Sequence, residues 1–188
     1  MTEDSDSDEV LARAKRRDPA AVAVLFRELQ PLLLRYLRAR VDRIVADDIA
    51  GEVWAAVAAG IESFQGDGAN FRAWLFTIAR NRVNDHHRTS GRRRTAPVAD
   101  VPDAISDDAE TLVLDGIAGQ DAVDLLRRHL TGDQLEVVLL RVLGDLDTAQ
   151  VAVLLERPES WVRVTQHRAI QRLTVRLGPV LGRAVDSL

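Results

Sequence analysis

The chain contains no cysteine. That excludes a disulfide framework and any thiolate metal centre. Aromatic residues make up only 4% of the 188 residues, threonine is scarce, and no stretch alternates apolar with polar side chains. The usual signature of a β-sheet protein is therefore missing. No apolar run approaches the roughly 20 residues needed to cross a bilayer. The first positions, Thr2-Glu3-Asp4-Ser5-Asp6-Ser7-Asp8-Glu9, hold acids and no base, the reverse of the basic start of a secretory leader. These absences lead to the expectation of a soluble cytoplasmic protein without membrane insertion. Lysine is almost missing as well: Lys15 stands alone, and arginine supplies the other basic side chains.

Apolar residues, by contrast, are plentiful at 46%, enough for a real core and too many for global disorder. The length allows one or two domains at roughly 100–200 residues each. The net charge is −4, which by itself argues against a nucleic-acid binder, but its distribution does not. Arg72, Arg80, Arg82, Arg88, Arg92, Arg93 and Arg94 face only Asp85 in residues 72–94. Residues 100–124 hold eight acids and no base, whereas residues 157–183 hold six arginines against Glu159. Basic blocks of this kind suit DNA, and acidic ones suit a basic protein partner or solvent.

The apolar spacing is helical almost throughout, so the expected fold class is all-α. A first helix is expected over Ser7–Arg17. Asp18-Pro19 then restarts the chain, with Asp as cap and Pro at the first helical position. The second helix carries Val22, Leu25, Phe26, Leu29, Leu33 and Tyr36 on one stripe, and Pro31 should kink or split it. A third helix is expected from about Val45 to Gly60, a glycine-containing loop over 61–70, and a fourth helix from Phe71 to Arg88. Pro97, Pro102 and the acid run mark a linker. Helices at about 110–130, 132–143, 148–156 and 159–177 follow, with Thr131 and Asp147 or Thr148 as caps. The expected layout is a domain over 1–90, a linker over 91–109 and a second domain over 110–188.

The fourth helix has two faces. Phe71, Trp74, Leu75, Ile78 and Ala79 form an apolar stripe, in which a core role for Trp74 outweighs a stacking wedge. Thr77, Arg80, Asn84 and His87, with Arg88 beside them, form a basic, amide-bearing face. Arginine and asparagine pair with phosphates and base edges, although a merely solvated basic face satisfies the same spacing. In the third helix, Ile49, Val53 and Val57 make the buried edge, and Asp48 and Glu52 share an outer face at i and i+4. Near the end, Thr148–Glu156, Arg157-Pro158 and Glu159–Leu177 read as a helix-turn-helix or a generic helical hairpin. Val151, Leu154, Leu155, Val162, Ala169, Ile170 and Leu173 would make its core. Ser160, Arg163, Val164, His167 and Arg168 would lie outside, with Ser160, Arg163 and His167 within reach of base edges or phosphates in a major groove.

The run Phe71-Arg72-Ala73-Trp74-Leu75, Ile78-Ala79-Arg80-Asn81, Asp85 and Arg88 resembles the promoter-melting helix of bacterial sigma factors. The extracytoplasmic-function group is the most similar. Ala46-Asp47-Asp48-Ile49-Ala50-Gly51-Glu52-Val53-Trp54 resembles that family's polymerase-docking motif, with Gly51 for the usual Gln and Trp54 for the usual Phe. Asp133-Gln134-Leu135-Glu136 followed by the helix-turn-helix resembles its minus-thirty-five domain, with Ser160-Trp161-Val162-Arg163 for Gly-Thr-Val-Lys and Glu156 for a turn Gly.

The resemblance implies several roles. Asp47, Asp48, Glu52 and Trp54 would meet the coiled coil of the large catalytic subunit of core RNA polymerase. Arg80, Asn84, His87 and Arg88 would act at the minus-ten element, and Ser160, Arg163, His167 and Arg168 at the minus-thirty-five element. It also implies a loop at 61–70 that holds a flipped base, for which Gln65, Asp67 and Asn70 offer hydrogen bonds. An anti-sigma protein would be a further partner. A stand-alone helix-turn-helix regulator and a helical adaptor are the competing readings. His86, His87, His129 and His167 have no metal-ligand spacing, and no phosphate-loop, dinucleotide or nucleophile motif occurs. No metal, cofactor or catalytic residue is expected.

Overall fold

A computed structural model of the chain describes residues 2–90 and 126–185, with side chains over 7–90 and 126–176. The expected linker, the arginines after Gly91 and most of the helix expected at 110–130 lie outside the described residues. Those residues form helices and no strand. They divide into two compact units, one built from the helices before residue 91 and one from the helices from Leu126 onward.

The first unit contains α1 (Thr2–Lys15), α2 (Pro19–Arg38), α3 (Arg43–Gly60), a single 3₁₀ turn (Ile61–Ser63) and α4 (Gly68–Thr89). The restart between α1 and α2 is as the sequence predicts. Asp18 is extended, Pro19 opens the helix, and Asp18 Oδ1 accepts from the Ala20 N–H at 2.9 Å. Arg13 Nε donates to the other carboxylate oxygen at 2.8 Å. That bond, with the Ala20 N–H behind it, holds the Asp18 carboxyl below the usual carboxylate range.

α2 departs from expectation in two ways. Pro31 does not split it; the helix is continuous from Pro19 to Arg38. A proline inside a helix costs about 3 kcal/mol. Buried Leu25 and Leu29 before it, and Leu33, Tyr36 and Leu37 after it, anchor both halves in one core and offset that cost. Val22 and Phe26 are not buried with the stripe; they are 42% and 45% exposed. They line an open apolar groove of about 1040 Å³ with Pro31, Trp54 and Val57.

In α3 the expected edge of Ile49, Val53 and Val57 is buried, joined by Ala46 and Ala50. The buried set of α4 is Phe71, Leu75, Phe76, Ala79 and Val83. Trp74 and Ile78 are only half-buried, because α4 packs on α1 and α2 as well as on α3, which turns its apolar arc toward Phe76. The Phe76 ring meets Tyr36 of α2 edge-on at 5.4 Å.

The second unit contains a helical turn at Leu126–His129, α5 (Gly132–Val142), α6 (Thr148–Leu155) and α7 (Glu159–Val185). The backbone of α7 runs beyond the expected end at 177. Leu135 to Leu140 are all buried, Glu136 among them, so α5 is the central helix of this unit. Both expected caps exist. Thr131 and Gln134 bond reciprocally, and Asp147 with Gln150 makes a capping box that starts α6. The helix-turn-helix core is as predicted, except that Ile170 is half-buried.

Candidate functional site

On α3 the four expected docking residues point two ways. Asp48 and Glu52 are exposed, and Glu52 Oε2 lies 3.5 Å from Arg82 Nε on α4. Trp54 follows Glu52 by two residues, about 200° around the helix, and faces α2 instead. Its indole N–H donates to Gln30 Oε1 at 2.6 Å, and its ring lies 5.0 Å from that of Phe26. Asp47, seven residues earlier on the same stripe as Trp54, also faces α2 and bonds Arg38 Nη2 at 3.0 Å. The acid face is therefore Asp48 and Glu52, with exposed Gly51 beside them. Trp54 belongs to the neighbouring groove.

The basic face of α4 is partly engaged within the protein. Arg80, Asn84 and His87 are half-buried and each already has an internal partner. Arg88 is exposed and bonds Asp85 Oδ1 at 2.6 Å. The Thr77 hydroxyl donates to the Ala73 carbonyl at 2.8 Å, so it turns back on its own helix. Arg82, two residues and about 200° from Arg80, lies on a different face of α4, exposed and next to the acid face.

The connection before α4 is more ordered than a simple loop. Asp67 caps α4 by accepting from the Asn70 N–H at 2.8 Å, so the carboxylate considered for base contact is a helix cap. Asp8 of α1 accepts the Gly68 N–H at 2.8 Å. Gln65 and Asn70 remain exposed. Trp74 is neither a bare wedge nor a core residue. It stacks on Phe64 at 5.1 Å and 28° and closes against Gly60, where an added Cβ would meet the indole at 3.0 Å.

In the second unit Ser160 and Arg163 are exposed on the first turns of α7, while His167 and Arg168 are half-buried. Arg163 Nη2 is paired with Glu159 Oε2 at 3.0 Å. His167 Nε2 is buried without a hydrogen-bond partner. Glu156 ends α6 in the left-handed region at φ 56, ψ 45. One cluster escaped the sequence reading: the Arg157 guanidinium lies 5.4 Å over the Trp161 ring. Its i, i+4 spacing, like that of Glu159 and Arg163, was the available signal. Among the described residues no group of His, Asp or Glu could hold a metal ion, and no helix is long and apolar enough to cross a membrane.

Comparison with known proteins decides what this arrangement is. The Sigma-70 region 2 family matches residues 25–93, which span α2 to α4. The ECF RNA polymerase sigma factor SigD of Mycobacterium tuberculosis is 34% identical over 173 residues, covering 88% of this chain and 81% of SigD. The chain belongs to the extracytoplasmic-function RNA polymerase sigma factors. ShbA of Streptomyces griseus, of the same family, is 32% identical over 86% of this chain and 90% of its own length. The solved structure of CnrH in complex with the cytosolic domain of CnrY shares the fold, with a TM-score of 0.62 at 22% identity over 92% of this chain and 97% of that one. This sigma factor accordingly works with core RNA polymerase and promoter DNA to start transcription. Sigma factors are non-catalytic initiation factors.

Proposed function

We propose that the two units of this sigma factor divide its work. Residues 1–90 dock on core polymerase and open the minus-ten element, residues 91–109 link, and residues 110–188 read the minus-thirty-five element. One observation carries the reading: α3 exposes Asp48 and Glu52 where it packs on α4, with Glu52 Oε2 3.5 Å from Arg82, while Arg80, Asn84, His87 and Arg88 share another face of α4. Asp48 and Glu52 meet the basic coiled coil of the large catalytic subunit, with Asp47 and Trp54 at the margin of that contact. Arg80, Asn84, His87 and Arg88 receive the melted strand, where stacked bases and phosphates need donors. Ser160, Arg163, His167 and Arg168 enter the major groove upstream. The reading includes a cytoplasmic location and an anti-sigma protein as a further partner.

The experiment is open-complex formation by holoenzyme on a cognate promoter with Asn84→Ala and Arg88→Ala. Both variants should open the promoter less while binding core as wild type does. Normal opening by both would remove α4 from the strand-binding role.

A further inference from the structure

We propose that Arg157, held over the Trp161 indole, is a phosphate clamp that seats α7 on promoter DNA, with Trp161 as its positioning residue. The inference rests on the reading that α7 enters the major groove.

The turn that carries Arg157 is fixed from both sides. Glu156 is left-handed, the Glu156 N–H donates to the Val153 carbonyl at 3.2 Å, and the Arg157 N–H donates to the Ala152 carbonyl at 2.9 Å. This pair of hydrogen bonds closes α6. Pro158 then restricts the backbone, and its carbonyl accepts the Trp161 and Val162 N–H groups at 3.0 and 3.2 Å. The Arg157 backbone therefore cannot drift relative to the first turn of α7.

The side chain is steered as well. A guanidinium 5.4 Å over an indole is within cation–π range and keeps N–H groups that the ring does not accept from. Those groups are what a phosphate accepts from in a forked contact. Arg157 is exposed, so the fork is open to a ligand. Trp161 is half-buried. Arg163 differs: it is exposed on the helix and tied to Glu159 at 3.0 Å. Arg157 thus fixes register, and Arg163, once released from Glu159, reads bases. Phosphate contacts position a protein without carrying sequence information, so the two arginines are separable by experiment.

The test uses full-length protein with core polymerase and labelled upstream-element duplexes of varied sequence, titrated with salt. Arg157→Ala should weaken binding equally across sequences and make the log–log salt slope shallower by about 1. Trp161→Ala should weaken binding roughly twofold to fivefold, the range of a cation–π contact at an exposed site. It should have little further effect in an Arg157→Ala background. Trp161→Phe keeps a ring under the guanidinium and should restore most of the loss, which a purely structural role for the indole ring would not predict in a folded variant. An unchanged salt slope in Arg157→Ala overturns the clamp. A changed base preference in Trp161→Ala makes the tryptophan a direct reader and also overturns it. Wild-type holoenzyme with no upstream-element preference would instead defeat the reading of α7, visible before any variant is compared.

Discussion

Replacing Asp48 and Glu52 together by lysine reverses the acid face of α3 while leaving its core edge untouched. Both residues are exposed, and Asp48→Lys introduces a side chain with good helix propensity. Glu52→Lys breaks the contact with Arg82, whose partners lie 3.5 Å apart with side chains 59% and 43% exposed. A surface pair of this kind is worth about 0–1 kcal/mol, and the new lysine beside Arg82 adds repulsion of similar size. Asp47 keeps Arg38, and Trp54 keeps Gln30. The fold should therefore lose about 1–2 kcal/mol at most, too little to unfold a typical domain.

Docking should lose far more. Like charges brought together across an interface cost several kcal/mol, and about 3 kcal/mol corresponds to roughly a hundredfold in affinity. The assay is competition of the double variant against labelled wild type for core polymerase at about 0.1 M salt, where screening sets in over about 10 Å. Circular dichroism checks helical content in parallel. Helicity should persist, core binding should fall about a hundredfold, and the deficit should narrow as salt rises. Unchanged affinity in a folded variant would refute the assignment of this face.

Gly51 sits exposed inside α3, and an added Cβ would meet nothing within 4 Å. Gly51→Ala should therefore stabilise by about 1 kcal/mol in denaturant titration, and a loss would mean that α3 is not the helix described. Glu156 adopts φ 56, where a Cβ costs about 1–2 kcal/mol. Glu156→Gly should relieve that strain and give back part of it through unfolded-state entropy. A net gain of about 0.5–1 kcal/mol is expected from thermal melts, with none for Glu156→Ala; equal melts for both would count against the left-handed turn. Arg13 and the Ala20 N–H hold the Asp18 carboxyl below its ordinary value. Its stabilisation is then complete above the ordinary carboxylate pKa and is lost as pH falls through the depressed folded one. The stability difference between wild type and Asp18→Asn should narrow as pH falls below about 4, and a difference independent of pH would contradict the ion pair.

The all-α class, the Asp18-Pro19 restart, the Asp147 cap and the helix-turn-helix core were all legible in the sequence. Each depends on residues within a few positions of one another, where helical periodicity and capping chemistry act directly. Family membership was legible for a similar reason, since whole segments such as Phe71-Arg72-Ala73-Trp74-Leu75 carried it.

Tertiary packing decided which side of each helix is used, and how. A period of 3.6 marks an apolar arc but not its centre. Contact with Tyr36 therefore buried Phe76, while Trp74 was left to cover Phe64. Pro31 stayed inside α2 because leucines on both sides share one core, a term that no local rule contains. The polar side chains were sorted in the same way. Asp67 became a cap, Trp54 turned to Gln30, and Glu52 met Arg82 thirty residues away in sequence. Hydrogen bonds and ion pairs form between whichever groups the packed helices bring within about 3 Å, and that proximity arises from burial of apolar surface between helices distant in the chain.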